Sequence, residues 1–372
     1  TGHTDVTYQP WNGTSGITYA NGAAYVYLTG NATLSGHLTV DGKTLYLCLN
    51  GKTLASNGTA KIQVKNGGRL VLCDCRGGGT FKGATQSVWG GACIYLYTST
   101  LDMFGGKLTG GKVTGKGGGG ARGLLSKYPI EETELINSWM FKGVCNVDGK
   151  RIAIYPSHSN YVYYSCYYPR GYNDGGGNSG WEKLPDGPNT DVSEILERNA
   201  LSGRPESARE FVENAKKELD KGAIVILAGD LNEPSHLDWV ESTKDMFEHN
   251  GCIVPWQTSL LLTESGFIDA FRQMYPDPAT HPGLTWPVNN EGIPVSDLAW
   301  AAEADERDRI DYIYYYPDSR FSLVDIKMVG PTGTIVRGER VAADTQEPII
   351  DQAGEHWPSD HRGLLMTIRW NE

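Results

Sequence analysis

The chain contains no glutamate before Glu131, although Asp and Glu together number 44 in its 372 residues. Within the first 120 positions the acidic residues are only Asp5, Asp41, Asp74 and Asp102. This segment therefore lacks the clustered acids that a carbohydrate-cleaving site normally needs. With ten Lys and Arg against these four acids, the segment has a net charge of +6. Because the whole chain has a net charge of −11, residues 121–372 have a net charge of −17.

Three further absences exclude other classes of protein. No apolar run is long enough to span a bilayer. No pair of cysteines has the CxxC spacing of a zinc site, so we expect the seven cysteines to be mostly buried free thiols. No run of Lys and Arg and no RNA-binding aromatic motif is present, so a nucleic-acid partner is not favoured, although it stays open.

The composition changes near residue 120. Of the 47 glycines, 26 lie in the first 120 positions. A chain of this length usually exceeds one modest core. We therefore predict a first domain over 1–116, a Gly-rich linker over 117–121 and a second domain over 122–372. A natural flexible linker and a junction of two fragments both fit the linker's glycines.

The first domain is predicted to be all-β. Short runs of β-forming residues alternate with Asn-Gly and Gly-Gly turns, and similar phrases recur every 20–30 residues. The phrases LNGKTL, NGGRLVL and FGGKLTGG resemble the rungs of right-handed parallel β-helices in large bacterial surface proteins. The resemblance implies a structural or adhesive scaffold.

The second domain has the pattern of an α/β protein. Residues 151–155 and 223–228 read as buried strands, and residues 191–221 between them have helical spacing. Polar residues follow the ends of the predicted strands, which is where α/β proteins keep their chemistry. These polar residues are His158, Asp230, Asn232, Asp311, Asp360 and His361.

Six ordered motifs carry a resemblance over about 122–372. The endonuclease/exonuclease/phosphatase superfamily, especially its secreted bacterial metal-dependent hydrolases, has motifs similar to LLSKYPI, SHSNY, ILAGDLNEPSHLDW, GFIDAFR, RDRIDYIYYYP and WPSDHRGLL of this chain. The resemblance implies a four-layered α/β sandwich of two packed sheets. It also implies hydrolysis of phosphate esters assisted by Mg²⁺ or Mn²⁺.

The same resemblance implies roles for the polar residues. His361 matches the general base and Asp311 the acid that orients it, an arrangement that would keep the imidazole pKa near neutral. Asp230 and Asn232 match the pair that positions the nucleophile and contacts the phosphoryl oxygens. His158 matches the second histidine, and Asp360, together with Asp230, the carboxylates beside the metal.

One part of the family pattern has no counterpart. The family supplies an Asn on its opening strand and a metal-binding Glu about thirty residues later, and this chain has neither in a matching context. We therefore expect an incomplete metal site and an incomplete sandwich lacking its N-terminal third. Either the first domain, a homo-oligomer or a partner subunit would then cover the exposed sheet.

The sequence thus predicts a metal-dependent phosphodiesterase or phosphatase attached to a β-helix scaffold. A non-catalytic surface, adhesive or filament-forming protein with a degenerate hydrolase domain is the alternative. Both resemblances indicate a secreted or cell-surface location. The chain opens without a basic and then apolar leader, so we expect any export signal to have been removed or never present.

Overall fold

The computed structural model describes residues 6–84, 93–97, 99–109, 123–342, 347–351, 357 and 359–371. The chain divides into two compact units, residues 1–120 and 121–372. The linker predicted at 117–121 lies outside the described residues. Within the described ranges, no helix combines the length and the apolar character needed to cross a membrane.

The first unit is built from twelve described strands. In chain order they are β1 (Gln9–Trp11), β2 (Ala23–Leu28), β3 (Ala32–Leu34), β4 (Leu38–Asp41), β5 (Thr44–Cys48), β6 (Thr53–Ser56), β7 (Ile62–Lys65), β8 (Arg69–Cys73), β9 (Thr80–Lys82), β10 (Ile94–Tyr97), β11 (Thr100–Met103) and β12 (Lys107–Thr109). They form three sheets with the orders β1-β2-β5-β8-β11, β4-β7-β10 and β3-β6-β9-β12. Every pairing between these strands is parallel.

From β2 onward, each strand pairs with the strand three positions later in the chain. Equivalent side chains therefore lie above one another, and the rings of Tyr25 and Tyr46 stack with centroids 4.3 Å apart. Alternate side chains point inward, as the period of a strand requires. Leu45, Leu47 and Leu70 of this inward set have no exposed surface. The predicted all-β character of this segment is confirmed by these parallel sheets.

The described residues of the second unit form eleven strands and four α-helices. The strands are β13 (Ile130–Asn137), β14 (Met140–Val147), β15 (Lys150–His158), β16 (Ile224–Asp230), β17 (Ile268–Asp269), β18 (Asp311–Tyr315), β19 (Phe321–Gly330), β20 (Thr334–Val336), β21 (Glu339–Val341), β22 (Ile349–Asp351) and β23 (Gly363–Trp370). The helices are α1 (Val192–Ala200), α2 (Arg204–Asp220), α3 (Gln257–Glu264) and α4 (Ala270–Met274). The strands form a six-stranded sheet, β13-β14-β15-β16-β18-β17, a three-stranded sheet, β22-β19-β23, and the hairpin β20-β21.

Successive side chains of the central strands point to opposite faces of the larger sheet, and each face packs into its own hydrophobic core. Val225 and Leu227 of β16 pack with Phe211 of α2 on one face of the sheet. Ile224 packs on the other face with Ile326 of β19, which belongs to the smaller sheet. The result is a helix layer, a six-stranded sheet and a second sheet, so the prediction of a mixed α/β fold is confirmed.

The helical segment predicted over 191–221 is two helices rather than one. Asp191 caps α1 by accepting hydrogen bonds from the backbone amides of Ser193 and Glu194. Before α2 the chain turns at Gly203, whose φ is +77°, and Pro205 follows in the first turn of α2. Because a left-handed residue ends a helix and proline favours the start of the next, one continuous helix does not form here.

Candidate active site

Three polar side chains lie in one row across neighbouring strands of the six-stranded sheet. His158 is the last residue of β15 and pairs in register with Asp230, the last residue of β16. Asp230 pairs in turn with Asp311, the first residue of β18. Since β15 and β16 are parallel and β18 runs the opposite way, all three residues reach the same edge of the sheet.

His361 joins this row from the segment that precedes β23. Its Nδ1 lies 2.9 Å from Oδ2 of Asp311, and its backbone amide donates to Oγ of Ser359 at 3.0 Å. Potential ligand atoms of Asp230, Asp311 and His361 all lie within 4.8 Å of one another. The structure therefore brings an imidazole and two carboxylates into one partly exposed group.

Asn232 and His158 both contact Asp230. The backbone amide of Asn232 donates to Oδ1 of Asp230 at 2.7 Å, and its side-chain Nδ2 donates to the carbonyl of Ser159 at 2.9 Å. Asn232 adopts φ of +47°, a conformation that Asn tolerates better than most residues. Nε2 of His158 lies 3.5 Å from Oδ2 of Asp230. Asp230 is thus held between two polar groups from adjacent strand ends.

Asp360 lies next to this group but outside it. Its Oδ2 accepts a hydrogen bond from Nε1 of Trp286 at 3.3 Å, and its carbonyl accepts one from the amide of Val288. The charge of Asp360 still acts on both Asp230 and His361, whose pKa values it raises. Of the two residues expected beside a metal, only Asp230 belongs to the three-residue group.

The pKa values of Asp230 and His361 are both raised in this group. Burial raises the pKa of Asp230 to about 7, and the facing carboxylate of Asp311 adds to the increase. Burial alone would lower the pKa of His361, but the charge of Asp311 and the hydrogen bond that the ring donates to it, with smaller effects of Asp230 and Asp360, raise this pKa to about 10. The imidazole pKa is therefore higher than the near-neutral value expected from the sequence, because three carboxylates surround it.

A comparison with known protein families identifies the family of the chain. A family model described as the Endonuclease/Exonuclease/phosphatase family matches residues 73–361, which is more than half of the chain. The chain belongs to this family. Members of the endonuclease/exonuclease/phosphatase family hydrolyse phosphoester bonds and typically use divalent metal ions. The match starts earlier than the resemblance over 122–372 and ends at His361.

Matches to individual proteins cover less of the chain than the family model does. An uncharacterized protein of Caenorhabditis elegans is 39% identical over 92 residues, which are 24% of this chain and 27% of that protein. The chain thus spans about a quarter of that relative's length. D. rerio TDP2 complexed with single strand DNA product is 14% identical, with 65% of this chain and 68% of that chain covered and a TM-score of 0.31. The catalytic domain of Xenopus laevis APE2 is 16% identical, with 62% and 56% covered and a TM-score of 0.31.

Two residues that position the candidate site, Thr285 and Arg362, were not predicted from the sequence. Oγ1 of Thr285 accepts hydrogen bonds from the backbone amides of Ile310 and Asp311, at 3.1 and 3.2 Å. The buried guanidinium of Arg362 donates to four backbone carbonyls, those of Leu284, Pro331, Thr332 and Gly333. Arg362 therefore ties the segment beside His361 to the segment that carries Thr285. Its position directly after His361 was the signal available in the sequence.

Other polar residues of this part of the chain lie in structural contacts instead. Arg309 is buried and pairs with Asp238 and Asp269. His236 is held by Oγ of Ser259 at 2.9 Å from its Nδ1. These contacts account for both side chains without a role in the chemistry of the family.

Replacing Gly229 with alanine should disturb both the fold and the position of Asp230. Gly229 has φ of +143°, and a Cβ there would lie 1.9 Å from the carbonyl oxygen of Ser157 on β15. We expect the free energy of unfolding to fall by more than about 2 kcal/mol, because a backbone strand must move. Urea denaturation measures this. Gly363→Ala is the control, since a Cβ at Gly363 meets nothing within 4 Å, and equal midpoints for the two variants would contradict the prediction.

Proposed function

We propose that this protein is a phosphoester hydrolase that uses His361 as general base and Asp311 as the group that orients it. The observation that carries the proposal is the 2.9 Å contact between Nδ1 of His361 and Oδ2 of Asp311, beside Asp230. With Nδ1 committed to Asp311, Nε2 is the ring nitrogen that takes a proton from an attacking water, in the molecules whose ring is neutral. The same carboxylate stabilises the positive charge that the ring then gains. Because the surrounding carboxylates raise the pKa of His361, we expect that fraction of molecules with a neutral ring, and the rate, to increase as the pH rises.

Asp230 and Asn232 position the reacting groups in this proposal. The amide of Asn232 fixes one oxygen of Asp230, and His158 stands on the side of the other oxygen. His158 is thereby placed to bind a phosphoryl oxygen or to assist the leaving group. Asp230 contributes a carboxylate whose position does not depend on a flexible loop, because it ends a paired strand.

The donor set suits a hard divalent cation such as Mg²⁺ or Mn²⁺. Carboxylate oxygens are the ligands that these ions prefer. Burial and the facing carboxylate of Asp311 raise the pKa of Asp230, and a cation would offset both effects. We propose that Asp230 holds the ion, since Asp311 is engaged by His361. Asp360 stays the second proposed ligand on the family resemblance, although its carboxylate lies outside the three-residue group and contacts Trp286. When bound, the ion would supply charge neutralisation for the phosphoryl group.

The set of protein ligands is small. Among the described residues, the group that could hold an ion contains two aspartates and one histidine. We therefore propose weak binding of the cation, completed by water and substrate oxygens. The alternative function is a non-catalytic surface, adhesive or filament-forming protein with a degenerate hydrolase domain, and the small ligand set is the observation that favours it.

The setting of the enzyme is proposed from the first unit. Parallel strands that pair three positions apart support a right-handed β-helix-like scaffold over residues 1–116. Because such scaffolds resemble those of bacterial surface proteins, we propose that the enzyme is secreted or located at the cell surface. The charge of −17 on the hydrolase part favours small phosphate esters over nucleic acids, because a polyanion would be repelled.

Hydrolysis of nitrophenyl phosphate esters should depend on a divalent cation and on Asp230. With bis(p-nitrophenyl) phosphate and p-nitrophenyl phosphate as substrates, we expect EDTA to abolish nitrophenol release and Mg²⁺ or Mn²⁺ to restore it. Asp230→Asn should lower the restored rate by about 10²-fold and raise the cation concentration needed for half-maximal activity. Asp220→Asn, at the exposed end of α2, serves as the matched control and should behave as the unsubstituted chain.

Two outcomes would separate the alternatives. No nitrophenol release with any metal would reject the catalytic proposal in favour of the degenerate domain. Release that persists in EDTA would reject the cation and leave hydrolysis in place.

A further inference from the structure

Three cysteines of the first unit lie close together at the ends of adjacent parallel strands. Cys48 ends β5 and pairs in register with Cys73, which ends β8. Cys75 follows two residues later, beyond the end of the strand. Sγ of Cys48 lies 2.7 Å from Sγ of Cys75. The other cysteines of the chain are buried.

Both cysteines are free, and their sulfurs lie closer together than non-bonded atoms usually do. Non-bonded heavy atoms settle at about 3.5 Å or more, and sulfur is larger than carbon. Sulfurs joined in a disulfide lie about 2 Å apart. At 2.7 Å the backbone already places Cys48 and Cys75 where a bond between them requires only a small adjustment of side chains.

The turn that carries Cys75 is fixed by the residue before it. Oδ1 of Asp74 accepts a hydrogen bond from the amide of Gly51 at 2.6 Å, and Oδ2 accepts one from the amide of Gly79 at 2.7 Å. Gly51 belongs to the turn that follows Cys48. Asp74 therefore fastens the turn after β8 to the turn after β5, and this connection keeps Cys75 against Cys48.

Cys73 is held differently, although it lies opposite Cys48 in the strand register. Its Sγ is directed to the carbonyl of Leu47 at 3.6 Å, and the hydroxyl of Tyr8 lies 3.9 Å away. It is also buried, whereas Cys75 is exposed. A reagent from solvent therefore reaches Cys75 before either of its neighbours.

We propose that Cys48 and Cys75 form a disulfide that links adjacent coils of the first unit under oxidising conditions. The oxidant is a small disulfide such as oxidised glutathione. The thiolate of Cys75 attacks it, which forms a mixed disulfide and releases one glutathione thiol. The thiolate of Cys48 then attacks the sulfur of Cys75 and releases the second, so that two protein thiols and one small disulfide give one protein disulfide and two small thiols.

Counting alkylated cysteines in the full chain tests this proposal. The protein is incubated with oxidised glutathione, or with dithiothreitol as the reduced reference, then denatured, treated with N-ethylmaleimide and weighed by mass spectrometry. We expect modification of all seven cysteines after reduction and of five after oxidation, with a Cys48–Cys75 cross-linked peptide in the digest. Seven modified cysteines after oxidation, or a cross-link between another pair, would overturn the proposal.

Single substitutions identify the partners. Cys48→Ser and Cys75→Ser should each abolish the internal cross-link. Cys73→Ser should retain it, which separates the proposed pair from the register pair Cys48 and Cys73. Cys252→Ser, in the second unit, is the matched control and should also retain it. Loss of the cross-link in Cys48→Ser and Cys73→Ser, with retention in Cys75→Ser, would overturn the proposal and assign the bond to Cys48 and Cys73. The cross-linked peptide of the unsubstituted chain decides the result if a variant fails to fold.

Discussion

Replacing His361 with alanine is expected to lower the rate of phosphate-ester hydrolysis by about 10³-fold, since a positioned general base contributes 10²- to 10⁴-fold. His361 is partly exposed and its side chain contacts Asp311, so its removal leaves no large cavity. The loss should therefore appear in kcat with little change in the melting temperature. The measurement is release of nitrophenol at saturating substrate and cation. His281→Ala, which removes an imidazole outside the site, provides the matched control.

The contact between His361 and Asp311 leads to a second prediction, on the rate of a variant at Asp311. Asp311→Asn should reduce the rate because the amide no longer holds the ring in the same orientation or stabilises its charge. If the two residues act as one unit, the double variant His361→Ala with Asp311→Asn should be no slower than His361→Ala alone. Independent, multiplying losses would show that Asp311 acts elsewhere. Unchanged hydrolysis in His361→Ala would reject the proposed base altogether.

Much of this site could be predicted because its residues lie at or beside strand ends. His158 and Asp230 come directly after apolar runs, and parallel strands joined by a helical connection bring their carboxyl ends together. The sequence could not give the register that sets Asp230 opposite Asp311, since pairing between β16 and β18 spans some eighty residues of intervening chain. Register of that kind depends on long-range packing rather than local pattern.

The parts that the sequence did not reveal depend on contacts between distant segments. The pKa of His361 is raised because Asp311, Asp230 and Asp360 converge on it, and their separate positions in the chain do not show this. In the same way, Cys48 and Cys75 meet only because β5 pairs with β8. By contrast, the division of the helical segment could have been found, because Gly203 and Pro205 mark it in the sequence.

A buried charge cluster beside α2 carries the largest stability effect that we expect. Glu218 has no exposed side-chain surface, and its carboxylate accepts hydrogen bonds from Lys142 at 2.8 Å, Arg151 at 2.9 Å and Lys221 at 2.9 Å. Lys142 is itself almost fully buried on β14. The cluster joins α2 to two strands of the six-stranded sheet, so breaking it leaves a buried ammonium group with one carboxylate, that of Glu134.

Glu218→Gln should therefore lower the free energy of unfolding by about 3 kcal/mol, the cost of removing one partner from a buried ion pair. The urea midpoint should fall while the denaturant slope stays unchanged. Glu213→Gln is the matched control, because Glu213 lies on the exposed side of the same helix. Equal urea midpoints for the two variants would show that the cluster does not contribute to the free energy of unfolding.

The same carboxylate predicts how stability depends on pH. Burial alone would raise the pKa of Glu218, but hydrogen bonds from Lys142, Lys221 and Arg151 lower it to about 2 from the ordinary 4.5. Between these values the unfolded chain binds a proton that the folded chain does not, so acidification favours unfolding. The stabilisation is complete above pH 4.5 and is lost as the pH falls towards 2. Urea midpoints measured over this range should fall less steeply for Glu218→Gln than for the unsubstituted chain, because the glutamine side chain binds no proton. Parallel curves for the two proteins would assign the acid sensitivity to other groups.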